Sequence, residues 1–392
     1  MKFKSIRICK GPIQYLMLIA LTMISIQGRA AAINVADVEE LYAAVNDTTN
    51  TGATLQLSPG LYMLSAVGPG GTPRPNGGRL ELLENMSLLG VVDDRSAVVI
   101  DAAGLPTPSF QIPGLTGAIR LGRGSNSVEW LTVRNAVNGS ANIETDLIFP
   151  GTAYIRVAHI ASTNSVRGID VRNLGAGAAG ATIVAEIVEN DLFGNLVRQA
   201  EGLRIGNNQG ANGAAIFATL SGNRCFNNFQ GVLIENNRTN NAYLSVTSSG
   251  DRFYENGAGA IILAGLSFGP SPANGNTVDF SARGSRFDDN NEFTIFDVGG
   301  LFIVGGENTA FPNGTSNNTV NARLLGCRMS NNQGTDLTGI GARSNPLSAG
   351  TPGMNNHVTI EVLGAGKSQP VTFLEDTIPF EANTTNSATL IQ

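Results

Sequence analysis

Between residues 182 and 332 the chain repeats one kind of segment five times: "TIVAEIVENDLFGN", "AIFATLSGNRCFNN", "YLSVTSSGDRFYEN", "TVDFSARGSRFDDN" and "TVNARLLGCRMSNN". A sixth copy, "HVTIEVLGAGK", is cut short. One aligned position holds Ile183, Ile216, Leu244, Val278, Val320 and Val358, and two residues on stand Ala185, Ala218, Val246, Phe280, Ala322 and Ile360. A third apolar column runs Ile187, Leu220, Ser248, Ala282, Leu324, Val362, while the residues between are polar or variable. A period of two with the same face apolar in every copy predicts strands with that face inward. After a bend, Leu192, Cys225, Phe253, Phe287 and Met329 continue the inward series, and Asn195, Asn228, Asn256, Asn290 and Asn332 close each copy. Those asparagines lie 33, 28, 34 and 42 residues apart. A second short strand follows each, clearest in "GLRIGNN", "GVLIENN" and "GAIIL". Units this thin and variable in length bury a core only by stacking, so the pattern predicts an all-β solenoid of parallel strands. Antiparallel propeller blades would not align copy to copy in one direction, and the nonapeptide Gly/Asp period of a calcium-binding solenoid is absent.

The segment before residue 180 fits the same plan with less regularity. "VADVEELYAAVND" has Val38, Leu41, Tyr42 and Val45 at helical spacing and is expected to be a short helix capping the open end of the stack. "GATLQLSPGLYML", "MSLLG", "AVVID", "GAIRLG", "SVEWLTVRN" and "YIRVAHI" are candidate first-coil strands, and the Gly- and Pro-rich runs at 68–78 and 267–276 are expected to be outer loops. "GAGK" lacks both the Arg and the Asn of the phrase, so the stack is expected to span residues 33–367, with residues 368–392 as a tail over its last coil.

Residues 1–32 place four basic residues before an apolar run from Ile13 to about Ile26 and end on small residues, the layout of a signal peptide cleaved after Ala30 or Ala32. The expected location is therefore outside the cell, in the periplasm or at the cell surface, with no transmembrane anchor after cleavage. Removing residues 1–32, which hold these four and Arg29, leaves 20 basic residues against 31 carboxylates, a chain about 11 charges negative, with Lys367 its single lysine. That balance disfavours nucleic acid as a partner. Cys225 and Cys327 remain; three coils of stack separate them by about 14 Å, beyond disulfide reach, so both are expected to be free. His159 and His357 stand at least five coils apart and make no zinc site; no metal or cofactor is implied. Nothing marks an oligomer, and a monomer is expected.

The repeats, with "ELYAAVND...GATLQLSPGLYMLSA" and "GGRLELLENMSLLGVVDDRSAVVIDAAG" at the start, resemble the right-handed parallel β-helix superfamily of pectate-lyase-like folds. The resemblance covers most of the chain after residue 32 and implies a single-stranded right-handed parallel β-helix. It implies no one chemistry, because the superfamily includes pectate lyases, polygalacturonases, pectin methylesterases, alginate-processing enzymes and adhesins. Their motifs are missing: Trp130 stands in "VEWLTV" with no Asp-His after it, Asp288-Asp289 lacks the other polygalacturonase motifs, and neither "DFIFG" nor "DPH" occurs.

Three constellations remain as candidates. Arg224, Arg252, Arg286 and Arg328 stand directly before inward residues and should form an outward column, suited to an acidic glycan through carboxylate contacts, or else paired with Asp251, Glu255, Asp288 and Asp289 as corner structure. The asparagine column is expected to be a ladder of side-chain amides, with Asn207, Asn208, Asn236 and Asn237 as a second one. For acid–base work the best pair is Glu235 with Asp297, at matching places two coils and about 10 Å apart, with Arg204 on a neighbouring row; a solvated strand end accounts for them equally well. The function expected is that of an exported polysaccharide-binding protein or cell-surface scaffold. The alternative is a polysaccharide lyase or glycoside hydrolase, its glycan containing uronate or not, working through Glu235, Asp297 and Arg204.

Overall fold

The computed structural model describes residues 31–107, 116–122, 124–137, 141–196, 200–267, 271–291, 298–308, 315–333, 335–344, 354–364, 371–376 and 386–391. The expected signal peptide lies outside them up to residue 30, and Ala32 already opens the first strand, Ala32–Val35. Among the described residues three sheets of twelve, ten and nine strands run side by side, and every strand pairing in them is parallel. Parallel crossovers are right-handed with few exceptions. The chain is a right-handed parallel β-helix, each coil giving one strand to each sheet.

The alternating runs form the first sheet, and the inward columns are in register as expected: Ile183 pairs with Ile216, then Leu244, Val278, Val320 and Val358. Three-residue strands such as Asp191–Phe193, Arg224–Phe226 and Arg252–Tyr254 form the second sheet, with Leu192, Cys225 and Phe253 buried in one continuous core. The third sheet holds the longer runs Glu201–Asn208, Gln230–Asn237 and Ala258–Ser267. The early strands fall where the alternation placed them, among them Thr54–Leu57, Ser87–Leu89 and Thr152–Ala158. The helix Val38–Asn46 is N-capped by Asp37, whose carboxylate accepts from the Glu39 and Glu40 amides at 2.9 Å, and it turns Leu41, Tyr42, Ala44 and Val45 inward.

Two expectations are corrected. The stack does not stop at residue 367: Val371–Asp376 adds to the third sheet and Ser387–Ile391 to the first. The Arg of the repeated phrase lies in the second sheet and the Asn in the turn that follows, and the last strand of that sheet among the described residues is Arg328–Ser330. The third sheet is also buried on both faces, every residue from Gln230 to Asn237 and from Ala258 to Ser267 being buried. Glu235 and Arg204 are therefore not at a solvated strand end.

Candidate functional site

The corner between the first and second sheets is a one-residue turn that needs a left-handed backbone. Gly222, Gly250, Gly284, Gly326 and Gly364 supply it with φ between 59° and 68°. In the three coils before them the same position is filled by Trp130, His159 and Glu189, at φ 59°, 57° and 52°. The amide ladder runs through all of them, from Trp130 to the Ala158 carbonyl, from His159 to Val188, from Glu189 to Ser221 and from Gly222 to Ser249. An L-residue held there costs roughly 1–2 kcal/mol relative to glycine. Three successive bulky or charged residues at a glycine position store strain of the kind that accompanies function.

Stacking one coil apart brings these side chains together. The Trp130 and His159 rings lie parallel, 3.9 Å between centroids and 11° between planes, and His159 Nδ1 stands 3.3 Å from Glu189 Oε2. The loop between the strands Ser87–Leu89 and Val98–Gly104 folds over this corner. Its Arg95 donates to the Ile160 and Glu189 carbonyls at 3.3 Å and to Asp191 Oδ2 at 2.7 Å. Asp191 is also gripped by Arg224, Nε to Oδ1 at 2.6 Å. Asp93, Arg95, Trp130, His159, Glu189, Asp191, Gly222 and Arg224 line one cavity of about 500 Å³.

From this corner the outer face of the second sheet presents two columns. One is Asp191, Arg224, Arg252, Arg286 and Arg328, in register and, for the four arginines, exposed. The expected partners hold only in small part. Arg224 pairs with Asp191, the Arg252 guanidinium sits over the Tyr254 ring 4.8 Å from its centroid, and Arg328 donates to Ser330 Oγ at 3.0 Å with Asp288 at 3.7 Å. The Arg286 guanidinium has no ion pair or hydrogen bond among the described residues. Asp251 is buried and holds the Asn223 amide instead.

The other column is Phe193, Phe226 and Tyr254, all half-buried, with ring centroids 5.0 and 5.1 Å apart and planes within 7° and 11°. Carbon atoms pack best at about 3.5–4.0 Å, so parallel rings spaced this widely have slipped sideways into the offset arrangement. Part of each π-face is left uncovered, like shingles beside the arginines.

Glu235 and Arg204 do come together, but inside the protein: they are 1 % and 8 % exposed, with Arg204 Nε 3.0 Å from Glu235 Oε1. Burial pushes the Glu235 carboxyl up, yet the Arg204 charge and the hydrogen bonds from Arg204 and Asn208 outweigh it and hold it below the usual range. Burial raises Glu201 on the preceding strand. The place two coils on from Glu235 is Val304, through Leu263, so Asp297 is not its counterpart, and Asp297 itself lies outside the described residues. In the sequence alignment "EFTIFDV" takes the place of the strand, whereas the strand that pairs there is Val298–Asn308.

Both cysteines are free and buried. Asn207 donates to Asn236 Oδ1 at 2.9 Å, joined by Asn173, whereas Asn208 turns to Glu235. Among the described residues no group of His, Cys, Asp and Glu could hold a metal ion. Sequence reasoning missed the corner triad, although its signal was present: aligning "GNR", "GDR" and "GSR" backward sets Glu189, His159 and Trp130 on the glycine position.

No family model and no curated protein matches the chain. Among solved structures, it is similar to the pectate lyase Pel9A at 13% identity, over 92% of this chain and 83% of that one, with TM-score 0.45. It is also similar to the mannuronan C-5 epimerase AlgE4 A-module of Azotobacter vinelandii, at 13% identity over 88% and 100% with TM-score 0.38. The catalytic unit of an alpha-1,3-glucanase from Streptomyces thermodiastaticus strain HF3-3 is a further match, at 12% identity over 93% and 68% with TM-score 0.29. The architecture is that of a parallel β-helix. It rests on the chain's own three parallel sheets.

Proposed function

We propose that this is an exported protein that binds an acidic polysaccharide along the outer face of its second sheet. The observation that carries the reading is the slipped stack of Phe193, Phe226 and Tyr254 beside the exposed column of Arg224, Arg252, Arg286 and Arg328. Uncovered aromatic faces suit the C–H surfaces of sugar rings, and guanidinium groups suit carboxylates, bidentately. The coils repeat at about 4.8 Å, so an arginine recurs at every step from Arg224 to Arg328, beside an aromatic ring in the Arg224 and Arg252 coils and beside Asp288 and Ser330 in the two that follow. Asp191 neutralises only the N-terminal end of the arginine column; Arg252 and Arg286 bear no ion pair among the described residues. A cationic strip on a chain otherwise rich in carboxylates would also set the orientation of approach.

The reading as a lyase or hydrolase through Glu235 and Arg204 loses support, because both groups are spent on each other in a covered sheet. Electrophoresis through gels containing polygalacturonate, alginate or dextran tests the proposal. Retardation is expected in the uronate gels, weakening with added salt and lost in a Phe226→Ala/Arg252→Ala/Arg286→Ala variant that still unfolds cooperatively. Equal mobility in every gel overturns it. New reducing ends or unsaturated products from the same polymers would replace binding with catalysis.

A further inference from the structure

The strip does not run the whole length of the second sheet. Its arginine column continues toward the N-terminus as Asp191, Ala161 and Thr132, and there the chain itself lies across it. The backbone of Arg95 accepts from Thr132 Oγ1 at 2.9 Å, and its guanidinium crosses two coils to Asp191 Oδ2 at 2.7 Å. A polymer laid along Arg328, Arg286, Arg252 and Arg224 therefore meets a wall at Arg95. The cavity of about 500 Å³ opens at that wall, sharing Asp191 and Arg224 with the strip and containing Trp130, His159 and Glu189.

We infer that this cavity is a terminal subsite, taking the last ring of the bound polysaccharide and so recognising chain ends; the inference rests on the strip reading. The chemistry present suits a terminal sugar ring. Glu189, its side chain 64% exposed, and the exposed Asp93 are carboxylates that only accept, and a chain end is where a sugar presents an extra free hydroxyl and vicinal pairs. The stacked Trp130 and His159 supply an apolar edge, and Arg252, one coil beyond the Arg224–Asp191 pair, is placed for the carboxylate of a ring behind. Arg95 holds Asp191 and two carbonyls at once, so the wall is set before any ligand arrives. The left-handed strain of Trp130, His159 and Glu189 has a purpose on this account: it keeps three functional side chains at a turn that glycine fills in the coils that follow.

Those later coils also provide the test. Trp130→Gly and His159→Gly place in the turn the residue that Gly222, Gly250 and Gly284 already hold, so both variants are expected to keep the fold and melt within a few degrees of wild type. Polygalacturonate and alginate, intact and after partial acid hydrolysis to short oligosaccharides, serve as probes by calorimetric titration. For wild type, the number of sites per gram of polymer should rise with the number of ends, and oligosaccharides should bind. In the Trp130→Gly/His159→Gly variant oligosaccharide affinity should fall at least about tenfold, 1.4 kcal/mol, with polymer retention falling less. Sites that follow polymer mass rather than ends, or oligosaccharide affinity unchanged in the variant, overturn the end subsite and leave the strip standing. No retention of wild type by either polymer overturns the strip and the subsite together.

Discussion

Asn228 shows what the repeated asparagine does. Its Oδ1 accepts from the Asn195 amide N–H and from Asn195 Nδ2 at 3.2 and 2.8 Å, while its own Nδ2 donates to the Leu192 carbonyl at 2.9 Å and to Asn256 Oδ1 at 3.1 Å. Asn256, Asn290 and Asn332 repeat the arrangement one coil at a time. Buried amides are thus satisfied in both directions along the stack, as the column in the sequence implied. A ladder through Asn276, Asn318, Asn356 and Asn386 escaped notice, although each residue stands directly before a strand of the first sheet. A third, Asn190 and Asn223, ends on a carboxylate. Asp251 Oδ1 accepts from Asn223 N at 2.7 Å and Nδ2 at 2.9 Å, and Oδ2 accepts from Ser248 Oγ at 2.6 Å and the Ser249 amide at 3.1 Å. Burial nevertheless outweighs these four bonds and raises the Asp251 pKa. A carboxyl raised on folding stabilises most below its unfolded pKa of about 3.9, and that contribution is lost as pH rises through the folded value. Asp251→Asn keeps the two Oδ1 contacts and turns a donor toward Ser249, at a cost of about 1–3 kcal/mol. Urea unfolding of both proteins across the acid range should show the advantage of wild type shrinking as pH rises. A difference that grows with pH would contradict the assignment.

The three kinds of strand were unequally legible, for a physical reason. The first sheet has one wet face, so its alternation between Ile183 and Val362 was plain and its register followed from simple alignment. The second sheet was marked by its turn residues. The third is dry on both sides, and such strands lose alternation and read as continuous apolar runs, as in "GAIILAGL". Alternation alone puts every outward position in solvent, which misplaces Arg204 and Glu235. Their pair is open to a direct test within this sheet. Removing one partner leaves the other charged, buried and alone, at about 3–5 kcal/mol, whereas removing both in favour of apolar groups is often neutral or better. Arg204→Met and Glu235→Leu should each lower stability by that amount, and the double variant should recover most of it. Measured by chemical unfolding, two losses that simply add would show that the pair contributes no coupling and that each group answers to other neighbours.

At the scale of the whole molecule, each coil packs mainly on the coils beside it, with the Arg95 side chain reaching further, to Asp191. Stability in such a stack is a sum over neighbours, so losing an end need not unfold the middle. The apolar interior, from Val35 in the first coil to Ile360 near the last, is one uninterrupted cluster built this way. The C-terminal strands Val371–Asp376 and Ser387–Ile391 pair the edges of the longer strands Thr335–Ser344 and His357–Leu363 and are themselves the outermost strands there. An open parallel edge offers unpaired amides and carbonyls to any passing strand. Deleting residues 368–392 should leave the strand signal in circular dichroism close to wild type per residue, while light scattering shows stronger concentration-dependent assembly than in the full chain, because edges of ten and seven residues replace edges of six and five. Retardation by uronate gels should persist, since the arginine and aromatic columns end at Arg328 and Tyr254, in coils that the deletion does not reach. A tail lying loosely over the last coil would give a different result, a truncated protein as monodisperse as its parent. Loss of the strand signal altogether would mean that the stack folds as one cooperative body rather than coil upon coil.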